Sequence, residues 1–215
     1  GRRDHMAIDE LLDEREQGER VKAWLRDNAL GLVGGLVVGI LLIGGWQYWQ
    51  RKTHGEAVAQ HAAYQTALLD IRSGDFDKAQ ATLAGLPDTV YSELAALQLA
   101  KAQVEKGERD AAIKTLEAVK GTEPGVAAVV EQRLARLLTD AGRGEDAVKL
   151  LAGADDAVSL EARGDAHFAL KQIEQAREDY AQALRKLDSA APQRGLVELK
   201  LSEVGGMPDE SEVES

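Results

Sequence analysis

The stretch GDFDKA, residues 74–79, decides the fold because close copies of it return along the chain. The copies are GERDAA at 107–112, GRGEDA at 142–147 and a degenerate KQIEQA at 171–176, so the successive spacings are 33, 35 and 29 residues. Self-similarity at a period of about 20–50 residues is typical of stacked supersecondary units. Each copy lies between two helical patterns, and the glycine that opens the first three copies favours the left-handed backbone that ends a helix. In the fourth copy Lys171 replaces this glycine. The sequence therefore predicts a series of helical hairpins.

The positions around each copy repeat a pattern of small and large residues. Small residues precede each turn and large apolar residues follow it, as expected where two antiparallel helices interlock. The small residues are Ala67, Ala100, Ala135 and Gly164, and the large ones are Leu83, Leu116, Leu151 and Tyr180. After these four hairpins, PQRGLVELKLSEV begins at Pro192 and predicts a capping helix that covers the end of the stack through Leu196, Leu199 and Leu201.

Upstream of the repeats, residues 29–49 read ALGLVGGLVVGILLIGGWQYW and carry no charge. About 20 helical residues cross the hydrocarbon layer of a bilayer, which is ~30 Å thick. Ten Leu, Ile and Val residues between Leu30 and Ile43 favour insertion by about 3 to 6 kcal/mol in all. A buried core helix is the alternative, but Trp24 on one side and Trp46, Tyr48 and Trp49 on the other suit two membrane interfaces.

The basic residues near this segment predict its orientation. Four precede it and two follow it, which favours a cytoplasmic N-terminus and a periplasmic C-terminal part. They are Arg15, Arg20, Lys22 and Arg26 on the first side, and Arg51 and Lys52 on the second. A cleaved signal peptide is the alternative, but the apolar run begins late and is long, so we expect an uncleaved signal anchor.

These patterns divide the chain into five parts. Residues 1–5, GRRDH before Met6, are interpreted as a scar left by cloning, and residues 6–28 as a short cytoplasmic segment. Residues 29–49 form the transmembrane helix, and 50–204 the periplasmic repeat domain. Residues 205–215, GGMPDESEVES, are acidic and poor in apolar residues, which predicts a disordered tail.

Three glycines predict a packing surface on the membrane helix. Gly31, Gly35 and Gly39 are spaced by four and give GxxxGxxxG on one face. Such a face lets a second helix approach closely, so a lateral contact with a partner's helix or with a second copy is expected. The alternative is that glycine is simply frequent in membrane helices.

The composition excludes several functions. The chain has no cysteine, so it has no disulfide, thiolate metal site or cysteine nucleophile. Its net charge of −11 disfavours nucleic acid as a partner. HExxH, GxSxG, a phosphate loop and GxGxxG are absent, and His54, His61 and His167 form no metal-ligand pattern. We expect no enzyme activity, cofactor, metal or catalytic residue.

The repeat register resembles the tetratricopeptide repeat, whose period is near 34 residues. It implies an all-α fold, in which one transmembrane helix precedes an α-solenoid of about four hairpins and a capping helix. It also implies a concave face lined by the first helix of each hairpin, which could bind extended or non-native polypeptide. The residues implied on it are His61, Tyr64, Leu68, Ile71, Leu94, Leu97, Lys101, Val104, Gln132, Arg136, Glu161 and Phe168. Alternatively, a terminal segment of the chain fills this face.

The whole arrangement resembles the YfgM family, ancillary subunits of the bacterial SecYEG protein-conducting channel. The best local signatures are VKAWLRDNALGLVGGLVVG and GWQYW, and the resemblance extends from Met6 to about Val204. It implies a single-pass inner-membrane protein whose partners are SecYEG and PpiD, a membrane-anchored periplasmic chaperone. It also implies a role in helping secreted chains leave the channel.

Three functions therefore remain to be distinguished. The leading hypothesis is a translocon-associated scaffold and holdase. The second is a regulatory or assembly scaffold that acts through its cytoplasmic segment. The third is a membrane-bound hydrolase, which a buried histidine–carboxylate pair in a cleft would favour.

Overall fold

The computed structural model describes the backbone of residues 2–207 and the side chains of residues 15–207, and all regular structure in this part of the chain is helical. The helices are α1 (Arg2–Ser73), α2 (Phe76–Ala84), α3 (Val90–Glu105), α4 (Arg109–Glu117), α5 (Pro124–Asp140), α6 (Gly144–Leu150), α7 (Ala157–Ala169), α8 (Ile173–Arg185) and α9 (Arg194–Glu203). The predicted all-α class is confirmed. Most of the predicted tail, 208–215, and Gly1 of the predicted scar lie outside the described residues.

The chain forms two compact units, residues 1–59 and residues 60–215, and α1 contributes to both. The first unit contains the predicted membrane segment. Its helix is long and apolar enough to cross a membrane, by length and composition. The second unit contains the end of α1 and the helices α2 to α9. Within it α3 pairs with α4, α5 with α6 and α7 with α8, and the end of α1 packs against α2 through Ile71 and Ala79.

The turns within the hairpins share one backbone geometry. Gly74, Gly107 and Gly142 have φ near +80°, and Lys171 occupies the same place with φ +60°. The residue after each one donates its N–H to the carbonyl five positions back, which is the Schellman closure of a helix. These pairs are Asp75 to Asp70, Glu108 to Gln103, Arg143 to Leu138 and Gln172 to His167, at 2.9, 2.8, 2.7 and 2.9 Å. The predicted helix ends, including the degenerate fourth, are therefore present.

The predicted small-to-large packing forms the core. Ala67, Ala100 and Ala135 are buried, and the fourth small residue, Gly164, lies against the ring of Tyr180. The largest cluster runs from α3 to α7 and includes Leu97, Leu116, Leu134, Leu138 and Leu151. A second cluster joins α7, α8 and α9, and a third joins α1, α2 and α3. Each cluster therefore joins neighbouring hairpins, as expected for stacked repeats.

The capping helix α9 is present, but its inner face differs from the prediction. Val197, Leu201 and Val204, spaced by four and three, are buried against α7 and α8. Leu196 and Leu199 were expected to cover the stack, but both are more than half exposed. The reason is helical periodicity, because residues at i, i+4 and i+7 share one face and 196 and 199 lie outside it.

Candidate functional site

A groove opens between α3 and α5 and contains four of the implied concave-face residues. Its volume is about 440 Å³. It is lined by Leu97, Ala100, Lys101, Val104 and Glu105 from α3, Leu116 from α4, and Arg133, Arg136 and Leu137 from α5. We call this site the α3–α5 groove. It brings Leu97, Lys101, Val104 and Arg136 together, as the repeat register implies.

The helical spacing of α3 explains how the groove is built. Leu97, Lys101 and Val104 recur at i, i+4 and i+7, so they share one face of α3. Leu97 and Leu116 are only 6% and 2% exposed and form the floor, whereas Val104 is 42% exposed. Leu97 is therefore a floor residue rather than the exposed contact that the register implied.

An aromatic pair between the first and second hairpins lies beside Leu94. The rings of Tyr64 on α1 and Tyr91 on α3 have centroids 5.6 Å apart and are tilted by 58°. Tyr91 is 55% exposed, and Leu94, one turn further along α3, is also exposed. Sequence reasoning missed Tyr91, although its spacing of three from Leu94 places it on the same helix face.

Two implied groove residues of α1 lie mainly in the core. Ile71 is 9% exposed and packs with Ala79 and Leu99, and Leu68 packs against the same cluster. They face the second helix of their own hairpin and the first helix of the next. The prediction that Ile71 contributes to a polypeptide-binding face is therefore corrected, while Leu68 is half-buried. His61 is exposed on the same helix.

Charged side chains form ion pairs at the positions of α7 that the repeat register implies on the concave face. Lys200 of α9 donates from Nζ to Glu161 Oε1 at 2.7 Å and to both Asp165 carboxylate oxygens at 2.9 Å. Arg136 of α5 lies 3.6 Å from Glu161 and 3.6 Å from Asp165. Glu161, implied on the binding face, is thus a buried member of an ionic cluster that holds α9 against α7.

Burial and hydrogen bonds shift the pKa values in this cluster. Burial alone lowers the pKa of Lys200, but the carboxylates of Glu161 and Asp165 outweigh it, so the pKa is raised above its ordinary value. Burial, and then the Asp165 carboxylate that accepts its hydroxyl hydrogen at 2.8 Å, raise the pKa of Tyr180. Both groups therefore keep their protons throughout the physiological range.

The last two implied groove residues lie apart from the groove. Gln132 donates from Nε2 to Ser159 Oγ at 3.0 Å and to Asp156 Oδ1 at 3.2 Å, which joins α5 to the start of α7. Phe168 is about half exposed near the end of α7. Neither residue lines the α3–α5 groove.

A histidine–carboxylate contact also exists in the repeat unit. His167 Nε2 lies 3.6 Å from an oxygen of the buried Asp179, beyond hydrogen-bond length. Asp179 is held by Arg163 through two bonds of 2.9 and 2.6 Å, and His167 Nδ1 contacts Gln172 at 2.6 Å. Arg163 already binds Asp179, and Gln172 already contacts His167. We therefore interpret these contacts as ones that join α7 to α8.

A second cleft, of about 240 Å³, is lined by residues of α2, α3 and α4. Glu93 of α3 lies in its wall and is 2% exposed. Its Oε1 accepts hydrogen bonds from the backbone N–H and the hydroxyl of Thr122, which ties the segment before α5 to α3. Its Oε2 is buried and has no hydrogen-bond partner among the described residues.

The glycine face of α1 is open in the first unit. A Cβ added at Gly31, Gly35 or Gly39 would meet no atom within 4 Å. The aromatic residues beyond it include Trp46 and Trp49, whose ring centroids are 5.8 Å apart. The glycine face is thus available to a second helix.

Comparisons with known proteins agree with this architecture. The chain is 29% identical to the Ancillary SecYEG translocon subunit of Escherichia coli (strain K12), over 65% of this chain and 69% of that protein. It is 27% identical to the protein of the same name from Haemophilus influenzae (strain ATCC 51907 / DSM 11121 / KW20 / Rd), over 51% of this chain and 74% of that protein. These matches confirm the resemblance to the YfgM family.

Two solved structures are also similar. One contains nearly identical TPR-like repeats of a kinesin light chain from Podosopora anserina, with 20% identity, a TM-score of 0.48, and coverage of 67% of this chain and 84% of that one. The other is the TPR domain of P58(IPK), with 14% identity, a TM-score of 0.43, and coverage of 68% and 45%.

The family model described as a tetratricopeptide repeat-like domain matches residues 22–206, most of the chain. With the helical hairpins described above, this match confirms the predicted fold class: an apolar N-terminal helix followed by a TPR-like solenoid. The chain belongs to the tetratricopeptide repeat-like domain family.

Proposed function

We propose that this protein is a non-enzymatic, single-pass scaffold of the bacterial inner membrane that associates with the SecYEG translocon. The similarity to two proteins named as ancillary SecYEG translocon subunits is the observation that carries the proposal. A helix with the length and composition of a membrane span, followed by a repeat domain, supports it. Repeat solenoids of this kind present extended surfaces for binding other proteins.

The proposed orientation has the N-terminus in the cytoplasm and residues 50–204 in the periplasm. It is supported by the four basic residues before the apolar segment and the two after it. In this orientation the repeat domain faces the side on which secreted chains emerge. We propose that it binds partner proteins there, including PpiD, and holds emerging secretory polypeptides.

The α3–α5 groove is the proposed site for such a polypeptide. Its floor is apolar and buried, and Val104 remains exposed at its side. Apolar surface that is concave and accessible commonly marks a site of protein interaction. The exposed Tyr91 and Leu94 add apolar surface on the same helix.

The glycine face of α1 is the proposed contact with a partner's membrane helix. Gly31, Gly35 and Gly39 leave their side of the helix without side-chain bulk. Close approach of two backbones compensates for the absence of a hydrophobic driving force within lipid. A channel subunit or a membrane-anchored chaperone could pack there.

Site-specific photo-crosslinking in intact cells tests both surfaces. Probes at Gly35 and Val104 are expected to give adducts with membrane partners and with periplasmic or secreted chains, respectively. Probes at Lys114 and Lys149, exposed on the second helices of their hairpins, serve as controls. Failure of Val104 to exceed these controls would contradict polypeptide binding in the groove.

Deleting residues 7–20 separates this proposal from the regulatory alternative. A scaffold that acts through the membrane helix and the repeat domain should keep its translocon association and its activity. Loss of the activity while translocon association remains would favour a role carried by the cytoplasmic segment.

A further inference from the structure

We propose that the α3–α5 groove selects polypeptide segments that combine apolar and acidic residues. This inference rests on the proposed polypeptide-binding function and specifies which chains the groove takes. It follows from the local charge of the groove. Basic side chains surround its apolar floor, although the whole protein carries a net charge of −11.

The floor can hold an aliphatic or aromatic side chain. Leu97, Ala100 and Leu116 are buried at its base, and Val104 and Leu137 stand on its two sides. An apolar side chain that enters would exchange contact with water for contact with these residues, which favours binding in proportion to the apolar area buried.

The rim carries three cations and one carboxylate. The cations are Lys101, Arg133 and Arg136, and the carboxylate is Glu105. The groove therefore has a local charge opposite in sign to that of the whole chain. A positive rim attracts acidic segments and repels basic ones.

The rim cations remain accessible to a ligand. Lys101 lies 3.9 Å from Glu105, but both side chains are largely exposed, so this contact is weak. Among the described side chains, no carboxylate lies within 4 Å of Arg133. The guanidinium of Arg133 can thus donate two hydrogen bonds to a carboxylate of the bound polypeptide.

Arg136 is paired with the carboxylates of α7 and adds little to the net charge of the rim. It lies 3.6 Å from Glu161 and Asp165, beyond hydrogen-bond length. Those carboxylates already bind Lys200 at 2.7 and 2.9 Å. The single charge of Lys200 compensates one of these two carboxylates and Arg136 compensates the other, so the positive charge of the rim comes from Lys101 and Arg133.

The test uses the full chain in detergent and three fluorescent peptides. They share the same apolar residues and differ only in carrying Glu, Gln or Lys between them. We expect fluorescence anisotropy to show that the Glu peptide binds about tenfold more tightly than the Gln peptide, and that the Lys peptide binds most weakly. Raising the salt concentration should reduce this difference, because exposed charges are screened.

Variants locate the effect in the groove. The double variant Lys101→Glu and Arg133→Glu should weaken binding of the Glu peptide about tenfold or more. Lys114→Glu with Lys149→Glu makes the same charge change on exposed sites of α4 and α6 and should have little effect. Val104→Asn should weaken the Glu and Gln peptides together, because it makes the wall of the groove polar.

The outcomes separate this inference from the function on which it rests. Equal binding of the three peptides with a loss in Val104→Asn would overturn the charge preference and leave polypeptide binding intact. No binding of any peptide would contradict both. A gain of about tenfold for the Glu peptide on deleting residues 208–215, whose sequence is acidic, would identify the chain's own tail as the occupant and overturn the assignment to an external partner.

Discussion

Gly164 on α7 lies directly against the aromatic ring of Tyr180 on α8. A Cβ added at Gly164 would come within 2.6 Å of Tyr180 Cε1, closer than real Cβ contacts. The Tyr180 hydroxyl also donates to Asp165 at 2.8 Å, so the ring is held at both its face and its tip. The fourth hairpin therefore depends on the absence of a side chain at position 164.

Gly164→Ala is expected to destabilise the repeat unit by about 1–3 kcal/mol, because the added methyl overpacks a filled core. The measurement is the urea midpoint of the full chain in detergent, followed by circular dichroism. Gly125→Ala is the matched control, because a Cβ there meets no atom within 4 Å. Equal stability of Gly164→Ala and the parent chain would contradict this packing.

Lys171→Gly is expected to stabilise the fourth turn by about 1 kcal/mol or less, since a left-handed conformation is strained for a residue with a Cβ. Lys171 has φ +60°, where the other three turns have glycine. Lys171→Ala removes the same charge but retains the strain, so it should bring no such gain. A higher thermal midpoint for the alanine variant than for the glycine variant would refute the assigned cause.

Lys200→Met is expected to lower the free energy of unfolding by about 2–4 kcal/mol. The reason is that the carboxylates of Glu161 and Asp165 lose their closest cation in a largely buried site. Hydrogen exchange should rise first in α9. Lys186→Met removes a mostly exposed ion pair with Asp155 and should change stability by less than about 1 kcal/mol.

The raised pKa of Lys200 also predicts a pH dependence. The pKa of Lys200 is higher in the folded than in the unfolded state. Its contribution to the free energy of unfolding is therefore complete below the ordinary lysine pKa and is lost as the pH rises above that value. The stability difference between the parent chain and Lys200→Met should therefore be constant near neutral pH and shrink in strong alkali. A difference that vanished on mild acidification would assign the effect to another group.

Glu93→Gln is expected to be tolerated, because it retains the acceptor for Thr122 and removes a carboxylate oxygen that has no partner among the described residues. Glu93→Ala should cost about 1–3 kcal/mol, since it leaves the Thr122 N–H without this acceptor. Denaturant titration compares the two. If both variants lost equal stability, the hydrogen bonds to Thr122 would not be the cause.

The sequence predicted the hairpins well because their signals are local. A glycine that ends a helix and an alanine that packs against a large side chain each depend on a few neighbouring positions. Because the pattern recurs in successive repeats, each copy strengthens the prediction. The fourth turn was also predicted at the correct position from the repeat spacing, although Lys171 stands there instead of glycine. The face of α9 was predicted less well, because a ten-residue helix with leucines on several sides does not reveal which side is covered.

The binding face was only partly predictable, because it depends on contacts between hairpins. The register implied that Leu97, Ile71 and Glu161 line a continuous surface, whereas the structure buries all three. Glu161 is covered by Lys200, which lies 39 residues away in sequence. The basic rim of the α3–α5 groove likewise combines two helices of different repeats, and no single repeat contains its pattern.

The most direct test of the central claim is affinity purification of the full chain in mild detergent, with quantification of SecY, SecE and SecG. A single-pass membrane protein of similar abundance and a variant with residues 29–49 replaced by polyleucine serve as controls. The account predicts that the channel subunits co-purify with the parent chain well above both controls. Enrichment no greater than that of the unrelated membrane protein would contradict it.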